Sequence, residues 1–298
     1  MKFKEFLSSF NLRLDKYQEK GNTIIIDTNR GRYIVKDNKY TDKEKLFDYL
    51  DSRSFKNYLR PVFSNSDYDV YDYIEEFSVP FEERAVDIIN IISFLHNKTT
   101  FYRTINLDKI KKTYEELTNK IDDLNNYYHN LQDNIEQIEI MAPSDYLIIR
   151  NCSFIYSNLR FCKDSLNKWY KIVSSKQKER VVTLHNNLKL DNILEGHEKL
   201  LISWDRSFKA NPIYDLYNLF NNSYNIVDFE SLYKIYLSKY PLLEEEQLLF
   251  FVLISMPRKI NLEEDEIKQC ISIRKDLDRL DRINKFILDN RSEKEKKE

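Results

Sequence analysis

The polar residues best suited to chemistry are concentrated in a β-rich stretch from Val181 to Trp204 and in the turn that follows it. Imidazole, amide, hydroxyl and carboxylate side chains follow the ends of the predicted strands, at His185, Asn187, Asn192, Ser203 and Asp205. Ligand sites commonly combine an apolar cleft with a few convergent polar groups. Oxygen-bearing side chains are also the ligands that Mg²⁺ prefers. By themselves these residues predict a polar ligand site and no particular reaction.

The order and spacing of these residues resemble the signature of the aminoglycoside and choline kinase-like phosphotransferases. That signature reads H-[GN]-D-x4-N, then I-D-W-[DE], then D-P-x-x-D-L. The segment 181–220 fills its three parts, with every spacing retained, by His185-Asn186-Asn187 and Asn192, by Ile202-Ser203-Trp204-Asp205, and by Asn211-Pro212-Ile213-Tyr214-Asp215-Leu216. The resemblance implies a protein kinase-like fold and a nucleotide site.

Upstream residues resemble further landmarks of the same family. The run 32–36 is similar to the strand that carries the ATP-contacting lysine, here Lys36, and Glu44 in the next predicted helix is the candidate ion-pair partner of that lysine. The run 73–76 resembles the hinge, where Glu75 is a candidate cofactor contact. The resemblance extends from about residue 12 to about residue 285. The lysine and a long helical insert are most similar to the spore-coat kinase-like (CotS-type) branch.

Two positions to which the resemblance assigns catalytic roles carry a different residue type. The family's proton-accepting Asp is here Asn187, and an amide has no basic form at neutral pH. The family's metal-binding Asp is here Ser203, a neutral and poor ligand for Mg²⁺. Losing a general base typically costs on the order of 10²–10⁴ in rate. Together the two replacements point away from catalysis.

Other positions keep the residue type that the resemblance implies. Asn192 matches the second metal ligand, and Asp215 matches a buried Asp that braces the catalytic loop in the family. His185 is expected to pack within its loop rather than to react. Asp205 is either a solvated loop carboxylate or a substitute metal ligand, because residues two apart on a strand share a face. Asp191 is a second possible substitute. ATP and Mg²⁺ are therefore expected cofactors only if the site is still active.

The elements that must position these residues begin with a β-rich lobe at residues 1–77. Its predicted parts are an amphipathic helix on Phe3, Phe6, Leu7 and Phe10, a hairpin of the runs 23–27 and 32–36 around Asn29-Arg30-Gly31, a helix around 42–50, and strands near 61–63 and 70–74. This pattern predicts a small antiparallel sheet that carries one helix.

Residues 78–290 are predicted to form a larger, mainly helical lobe. The run 85–96 is apolar nearly all round, which indicates a buried helix. From Leu107 to Ile138 apolar residues recur at alternating spacings of three and four, which is a heptad seam. The seam predicts either packing against another helix of the same domain or contact with a second copy or another protein. Residues 291–298 are predicted to be a disordered charged tail.

Composition excludes several classes of protein. Apolar residues make up 42% and charged residues 32% of the 298 residues, as in ordinary globular proteins. A net charge of -2 gives no general attraction to nucleic acids or acidic membranes, so neither is predicted as a partner. Three cysteines without CxxC spacing argue against a disulfide framework or a structural zinc site. These features and the charged start of the chain predict a cytoplasmic location.

The sequence therefore predicts an α+β, protein kinase-like two-lobed fold with a small antiparallel β lobe and a larger mainly helical lobe. The predicted function is that of a pseudokinase with a structural or scaffolding role, associated with a spore coat if the organism sporulates. The alternative is an active ATP-dependent kinase with migrated metal ligands. It would phosphorylate a hydroxyl of choline, a sugar or an aminoglycoside-like molecule.

Overall fold

The structure is a computed structural model that describes residues 7–21, 23–38, 43–260 and 265–295, with side chains up to residue 290. Its strands are β1 (Leu14–Lys20), β2 (Thr23–Thr28), β3 (Gly31–Asp37), β4 (Phe63–Ser64), β5 (Tyr68–Asp72), β6 (Phe101–Thr104), β7 (Lys178–Leu184), β8 (Ile193–Glu195), β9 (Lys199–Leu201) and β10 (Phe208–Ala210). Its helices are α1 (Lys43–Ser52), α2 (Phe81–Thr99), α3 (Leu107–Glu136), α4 (Pro143–Ser174), α5 (Ile213–Ser223), α6 (Phe229–Lys239), α7 (Glu244–Ser255) and α8 (Glu266–Glu295). The predicted α+β class is confirmed.

The chain forms two compact units, and each is assembled from separate segments. The first contains the chain up to Thr100 together with Val182–Ala210 and Asn222–Pro241. The second contains Phe101–Val181, Asn211–Asn221 and the chain from Leu242 onward. The sequence predicts that one lobe ends at residue 77 and the next begins at residue 78. The two compact units divide the chain in a different way, so the lobe boundary stays a prediction.

The first unit contains an antiparallel five-stranded sheet with the strand order β1-β2-β3-β5-β4. The predicted hairpin is confirmed, because Thr28 pairs with Gly31 and leaves Asn29 and Arg30 as its two-residue loop. Strand β1 was not predicted. Six of its seven side chains are exposed, so it lacks the apolar alternation by which a half-buried strand is recognised.

A small apolar core supports this sheet and is formed by Leu7, Leu12, Ile26, Tyr33, Val35 and Val70. Helix α1 buries Phe47 and Leu50, so the predicted helix around 42–50 is confirmed, although Asp42 lies outside the described residues. Of the predicted opening helix, Phe3 and Phe6 also lie outside them. Leu7 to Ser9 is helical, and Leu7 is buried.

The rest of the first unit consists of short strands and helices around the first two motifs. Strand β8 pairs with β9, and β10 pairs with Val182–Leu184 of β7. Helix α2 confirms the predicted buried helix, with a nearly continuous run of buried side chains from Ile88 to His96. It packs against α6, where His96 Nδ1 lies 2.7 Å from the hydroxyl of Tyr236.

The second unit is built around the pair of long helices α3 and α4, and α4 also packs against α7 and α8. The heptad seam of α3 is buried within this unit at Ile121, Leu124, Tyr128 and Ile135. The hydroxyl of Tyr128 donates a hydrogen bond to the carbonyl of Arg258. These contacts correspond to the first of the two predicted alternatives, in which the seam packs against another helix of the same domain. Contact with a partner through residues 107–138 stays a prediction.

Helix α8 continues to Glu295, past residue 291, where the sequence predicts a disordered tail to begin. Residues 296–298 lie outside the described residues, and the disordered tail stays a prediction. Across the part of the chain that the structure describes, no helix combines the length and the apolar character that crossing a membrane requires.

Candidate functional site

A cavity of about 540 Å³ in the first unit brings several of the predicted site residues together. Lys36, Glu75 and Ser203 line it, and so does Asp191. Its walls also include apolar side chains from the sheet and from the β8–β9 region: Ile25, Ile34, Leu194 and Ile202. Apolar walls with a few convergent charged groups are typical of sites for small molecules and cofactors.

Strand β3 places Lys36 inside this cavity. Lys36 lies opposite Asp69 of β5 in the antiparallel register, and its Nζ donates a 3.5 Å hydrogen bond to Ser203 Oγ. Burial lowers the pKa of Lys36, and although Asp205 and Asp69 act to raise it, Lys43 adds to the lowering. The predicted nucleotide lysine is therefore a half-buried ammonium group that points toward the loop of the second motif.

Sequence reasoning missed Lys43, which also lines the cavity. Its Nζ lies 2.5 Å from Asp69 Oδ2 and 3.1 Å from Asp205 Oδ1. The side chains of Lys43 and Asp69 are only 9% and 1% exposed, whereas that of Asp205 is 47% exposed. Burial alone would lower the pKa of Lys43, but the hydrogen bonds to the two carboxylates outweigh it and raise the pKa. The lysine therefore stays charged and is held by two acids.

The predicted ion pair between Lys36 and Glu44 is wrong. Glu44 is exposed and does not line the cavity, whereas its neighbour Lys43 points inward. Adjacent residues on a helix project about 100° apart, so a shift of one position exchanges the side chain that faces the site. The only sequence signal for Lys43 is its position at the start of α1.

The residue at the family's proton-acceptor position, Asn187, is engaged in the loop structure. Its Nδ2 donates to the backbone carbonyl of Ser203 at 3.3 Å, and Asn192 Nδ2 donates to the backbone carbonyl of Asn187 at 2.7 Å. The Asn187 amide thus connects the loop of the first motif to that of the second, and the Asn192 amide braces the first loop internally. Neither can accept a proton at neutral pH.

Ser203, at the family's metal position, has an unusual backbone conformation. Its φ of 66° and ψ of 52° lie in the left-handed region, which is uncommon for residues other than glycine. Asn186 in the first motif also has a positive φ, of 56°. Such conformations cost on the order of 1 kcal/mol and persist only where the surroundings enforce them. The surrounding structure therefore enforces an uncommon backbone conformation in the turns of both motifs.

His185 has the contacts of a packing residue. It is fully buried, its Nε2 donates to the carbonyl of Ile202 at 2.9 Å, and its ring meets Trp204 edge to face at 4.6 Å. It does not line the cavity. Asp215 is also fully buried, at the beginning of α5 in the second unit.

The β8–β9 turn positions Glu75. Phe77 N donates to the carbonyl of Glu195 at 2.7 Å, which ties the chain after Glu75 to β8. In the turn, a Cβ at Gly196 would lie only 2.9 Å from Ile74 Cγ2. Glycine at this position therefore permits the close approach that holds Glu75 at the cavity.

The residues present do not fit the Mg²⁺ site that the family implies. Asp205, the possible substitute ligand, is held by Lys43, and Ser203 is neutral. Asn192 donates through its Nδ2 within the loop, and its Oδ1 is a neutral oxygen that supplies no charge to hold the ion. Within the described ranges, no group of three or more His, Cys, Asp or Glu residues is arranged to hold a metal ion. The second possible substitute, Asp191, lines the cavity but has no carboxylate partner in such a group.

No protein-family model matches the chain, and no curated protein matches its sequence. Among solved structures it is similar to an aminoglycoside phosphotransferase from Alicyclobacillus acidocaldarius, with a TM-score of 0.70 and 13% identity over 97% of this chain and 95% of that chain. It is also similar to an AMP-bound spectinomycin phosphotransferase, with a TM-score of 0.50 and 13% identity over 97% and 93% of the two chains. A choline kinase from Streptococcus pneumoniae has a TM-score of 0.49 and 15% identity over 96% and 98%.

At such low identity the similarity is evidence of fold alone. The fold that the sequence motifs imply is confirmed over nearly the whole chain, because the first of these structures also aligns over nearly all of its own length. This chain therefore has the protein kinase-like fold of the aminoglycoside phosphotransferases.

Proposed function

We propose that this protein is a pseudokinase that binds a nucleotide in the Lys36 cavity and does not transfer its phosphoryl group. The observation that carries the proposal is the contact between Asn187 and Ser203, in which an amide donates to a serine carbonyl. In an active kinase of this fold, the same two positions would supply a proton acceptor and a metal ligand. Asn187 cannot accept a proton at neutral pH, and the neutral hydroxyl of Ser203 is a poor ligand for Mg²⁺.

The charges around the cavity support the loss of catalysis. Phosphoryl transfer depends mainly on positioning and on neutralising the charge that develops on the phosphate oxygens, usually with Mg²⁺. The carboxylate closest in sequence to the lost metal ligand is Asp205, and it is paired with Lys43. A metal ion would have to compete with that ammonium group for the carboxylate.

Nucleotide binding is supported by what the cavity retains. Its volume of about 540 Å³ suits a cofactor of nucleotide size. Lys36 at one wall of the cavity can bind the phosphates. Ile25, Ile34 and Leu194 supply apolar surface against which a base can pack. The spectinomycin phosphotransferase with a similar fold was solved with AMP bound, which makes an adenine nucleotide the first ligand to test.

A structural or scaffolding role follows if phosphoryl transfer is absent, because binding is then the output that remains. Two apolar side chains at the ends of the heptad segment, Leu107 and Ile138, are exposed and would be the first points of contact for a partner. Association with a spore coat rests on the resemblance to the CotS-type branch. The cytoplasm is the proposed location outside spores.

Thermal unfolding with and without nucleotide, combined with a turnover assay, tests the proposal. ADP or ATP at 100 times Kd should stabilise the protein by about 2.7 kcal/mol. Lys36→Met should abolish the shift, whereas Lys163→Met, at an exposed lysine of α4, should leave it unchanged. Choline, sugars and aminoglycosides should not stimulate ATP consumption. Acceptor-dependent turnover by the unmodified protein would instead establish the active-kinase alternative.

A further inference from the structure

We propose that the site binds nucleotide phosphates without a divalent cation, with the ammonium groups of Lys36 and Lys43 supplying the positive charge. This inference depends on the proposed nucleotide binding and specifies how the charge of the phosphates is neutralised. It concerns Lys43, for which the motif resemblance provides no role.

The position of Lys43 is the first observation behind this inference. Lys43 and Lys36 both line the cavity, and both contact the loop of the second motif: Lys43 through Asp205, and Lys36 through Ser203. A divalent ion placed at this loop would lie beside two ammonium groups, which repel it. The same two groups attract a phosphate and can donate several charge-assisted hydrogen bonds to it.

The two carboxylates that hold Lys43 differ in a way that matters for ligand binding. Asp69 is almost completely buried, and its other oxygen accepts a 2.6 Å hydrogen bond from Ser64 Oγ, so it remains with Lys43. The side chain of Asp205 is about half exposed and can turn toward solvent. We infer that Asp205 is the counter-ion of Lys43 in the ligand-free site and that a phosphate displaces it.

This exchange gives the cluster of Lys36, Lys43, Asp69 and Asp205 a net positive charge only when the ligand arrives. The acidic residues elsewhere on the cavity wall, such as Glu75 and Asp191, take no part in the exchange. With Asp205 in place, two lysines face two aspartates and their charges cancel. When Asp205 turns away, Lys36 and Lys43 together exceed Asp69 by one positive charge. Asp205 therefore competes with the phosphate for Lys43, whereas a metal-binding carboxylate would assist phosphate binding through the metal ion.

The two mechanisms predict opposite effects of Asp205→Asn. In a metal-free site the substitution removes a competitor, so affinity for the nucleotide should increase. In a metal-dependent site it removes a ligand of the metal ion, so affinity should decrease. Because Asp205 is half exposed, this variant is expected to keep the fold.

The experiment is calorimetric titration of the full chain with ADP, once in Mg²⁺ and once in EDTA. The expected result is the same Kd in both buffers within about twofold, a tighter Kd in EDTA for Asp205→Asn, and a Kd weakened about tenfold or more for Lys43→Met through loss of a charge-assisted hydrogen bond. Lys43→Arg should retain most of the affinity. Lys163→Met is the matched control and should not change it.

Lys43→Met leaves Asp69 buried without its ammonium partner and so endangers folding. If this variant fails to fold, the direction in which Asp205→Asn changes the Kd still distinguishes a metal-free site from a metal-dependent one. Binding that disappears in EDTA and weakens in Asp205→Asn would overturn the metal-free inference and leave the proposed nucleotide binding intact. Absence of ADP binding in both buffers would overturn both proposals.

Discussion

Asn187 and Ser203 are joined by a hydrogen bond in which the amide donates and the serine carbonyl accepts. A carboxylate at position 187 has no hydrogen to donate at neutral pH, so an aspartate there could not form this bond. Compared with an aspartate at position 187, the asparagine therefore lacks a proton acceptor and adds a contact between the two motif loops. At the scale of single residues, this amide holds the two loops together and has no basic form that could accept a proton.

The double variant Asn187→Asp/Ser203→Asp should make nucleotide binding dependent on metal. Two added carboxylates repel the phosphates when Mg²⁺ is absent and can ligate the ion when it is present. Removing the Asn187 hydrogen bond should cost about 1 kcal/mol of stability. Titration of ADP in Mg²⁺ and in EDTA measures the first effect and urea unfolding the second. Asn187→Ala/Ser203→Ala controls for the loss of the native side chains, and a double Asp variant that binds equally well in EDTA would contradict the prediction.

Glu195 provides a prediction about pH. It is buried, and its Oε1 has no hydrogen-bond partner among the described residues. Burial raises its pKa above the ordinary 4.5, and the nearby charge of Asp87 adds to the rise. Because ionisation is harder in the folded state, a stability penalty begins near pH 4.5 and grows as pH rises to the folded pKa.

Glu195→Gln removes this penalty because the amide does not ionise. At pH 7 the Tm of the variant should therefore be higher than that of the native protein. Well below pH 4.5, where the carboxyl is protonated in both states, the two proteins should have the same Tm. Scanning calorimetry at both pH values checks this, and an equal gain at both would show that ionisation is not the cause.

At the scale of elements, the pair α3 and α4 shows how a heptad pattern is used inside one chain. The seam is buried at Ile121, Leu124, Tyr128 and Ile135, whereas Leu107 at its start is exposed. The partner that covers the seam is α4, which follows after a short connection. A coiled-coil pattern therefore reports that a helix has a partner helix, and short connections favour a partner in the same chain.

Leu124→Ala should destabilise the protein by about 2–5 kcal/mol, the usual cost of a cavity at a buried leucine. Leu107→Ala, at the exposed end of the same helix, is the control and should change stability by less than about 0.5 kcal/mol. Urea unfolding at several protein concentrations measures both. A midpoint that rises with concentration and falls to the same extent in both variants would indicate self-association through the helix instead.

At the scale of the whole molecule, the first compact unit is assembled from distant parts of the chain. Phe55 packs against Trp204 with ring centroids 6.1 Å apart, and Tyr58 forms a β-bridge with Leu201. The N-terminal sheet, its helix and the motif segment therefore share one core. The cavity exists only when all of these segments are present.

A polypeptide of residues 1–77, the small lobe predicted from sequence, should not fold by itself. It lacks the segment 182–210 that covers Phe55 and Tyr58, so apolar side chains buried in the first unit would be exposed. Circular dichroism and amide NMR spectra should show no cooperative unfolding and little dispersion. The full-length chain is the control, and a cooperative transition in the short polypeptide would show that the lobe is independent.

Much of this architecture is determined by the sequence locally. The hairpin at Asn29–Gly31, the buried helix α2 and the long helix α3 follow from turn residues and from periodic apolar positions within single segments. The resemblance of the motifs to a phosphotransferase signature implied the kinase-like fold, and the structure places Lys36 and Ser203 at one cavity. These features could be recognised because each depends on residues that are close together in the chain or on a fixed order of short motifs.

Only the tertiary structure decided which charges meet. Lys43 rather than Glu44 faces the cavity because the rotation of α1 about its axis is set by packing at Phe47 and Leu50, not by the two charged residues. Asp205 meets Lys43 across more than 160 positions of sequence, and no local pattern encodes that contact. The sequence determines the chemistry of each side chain. Which side chains become its neighbours is determined by the packing of the whole chain.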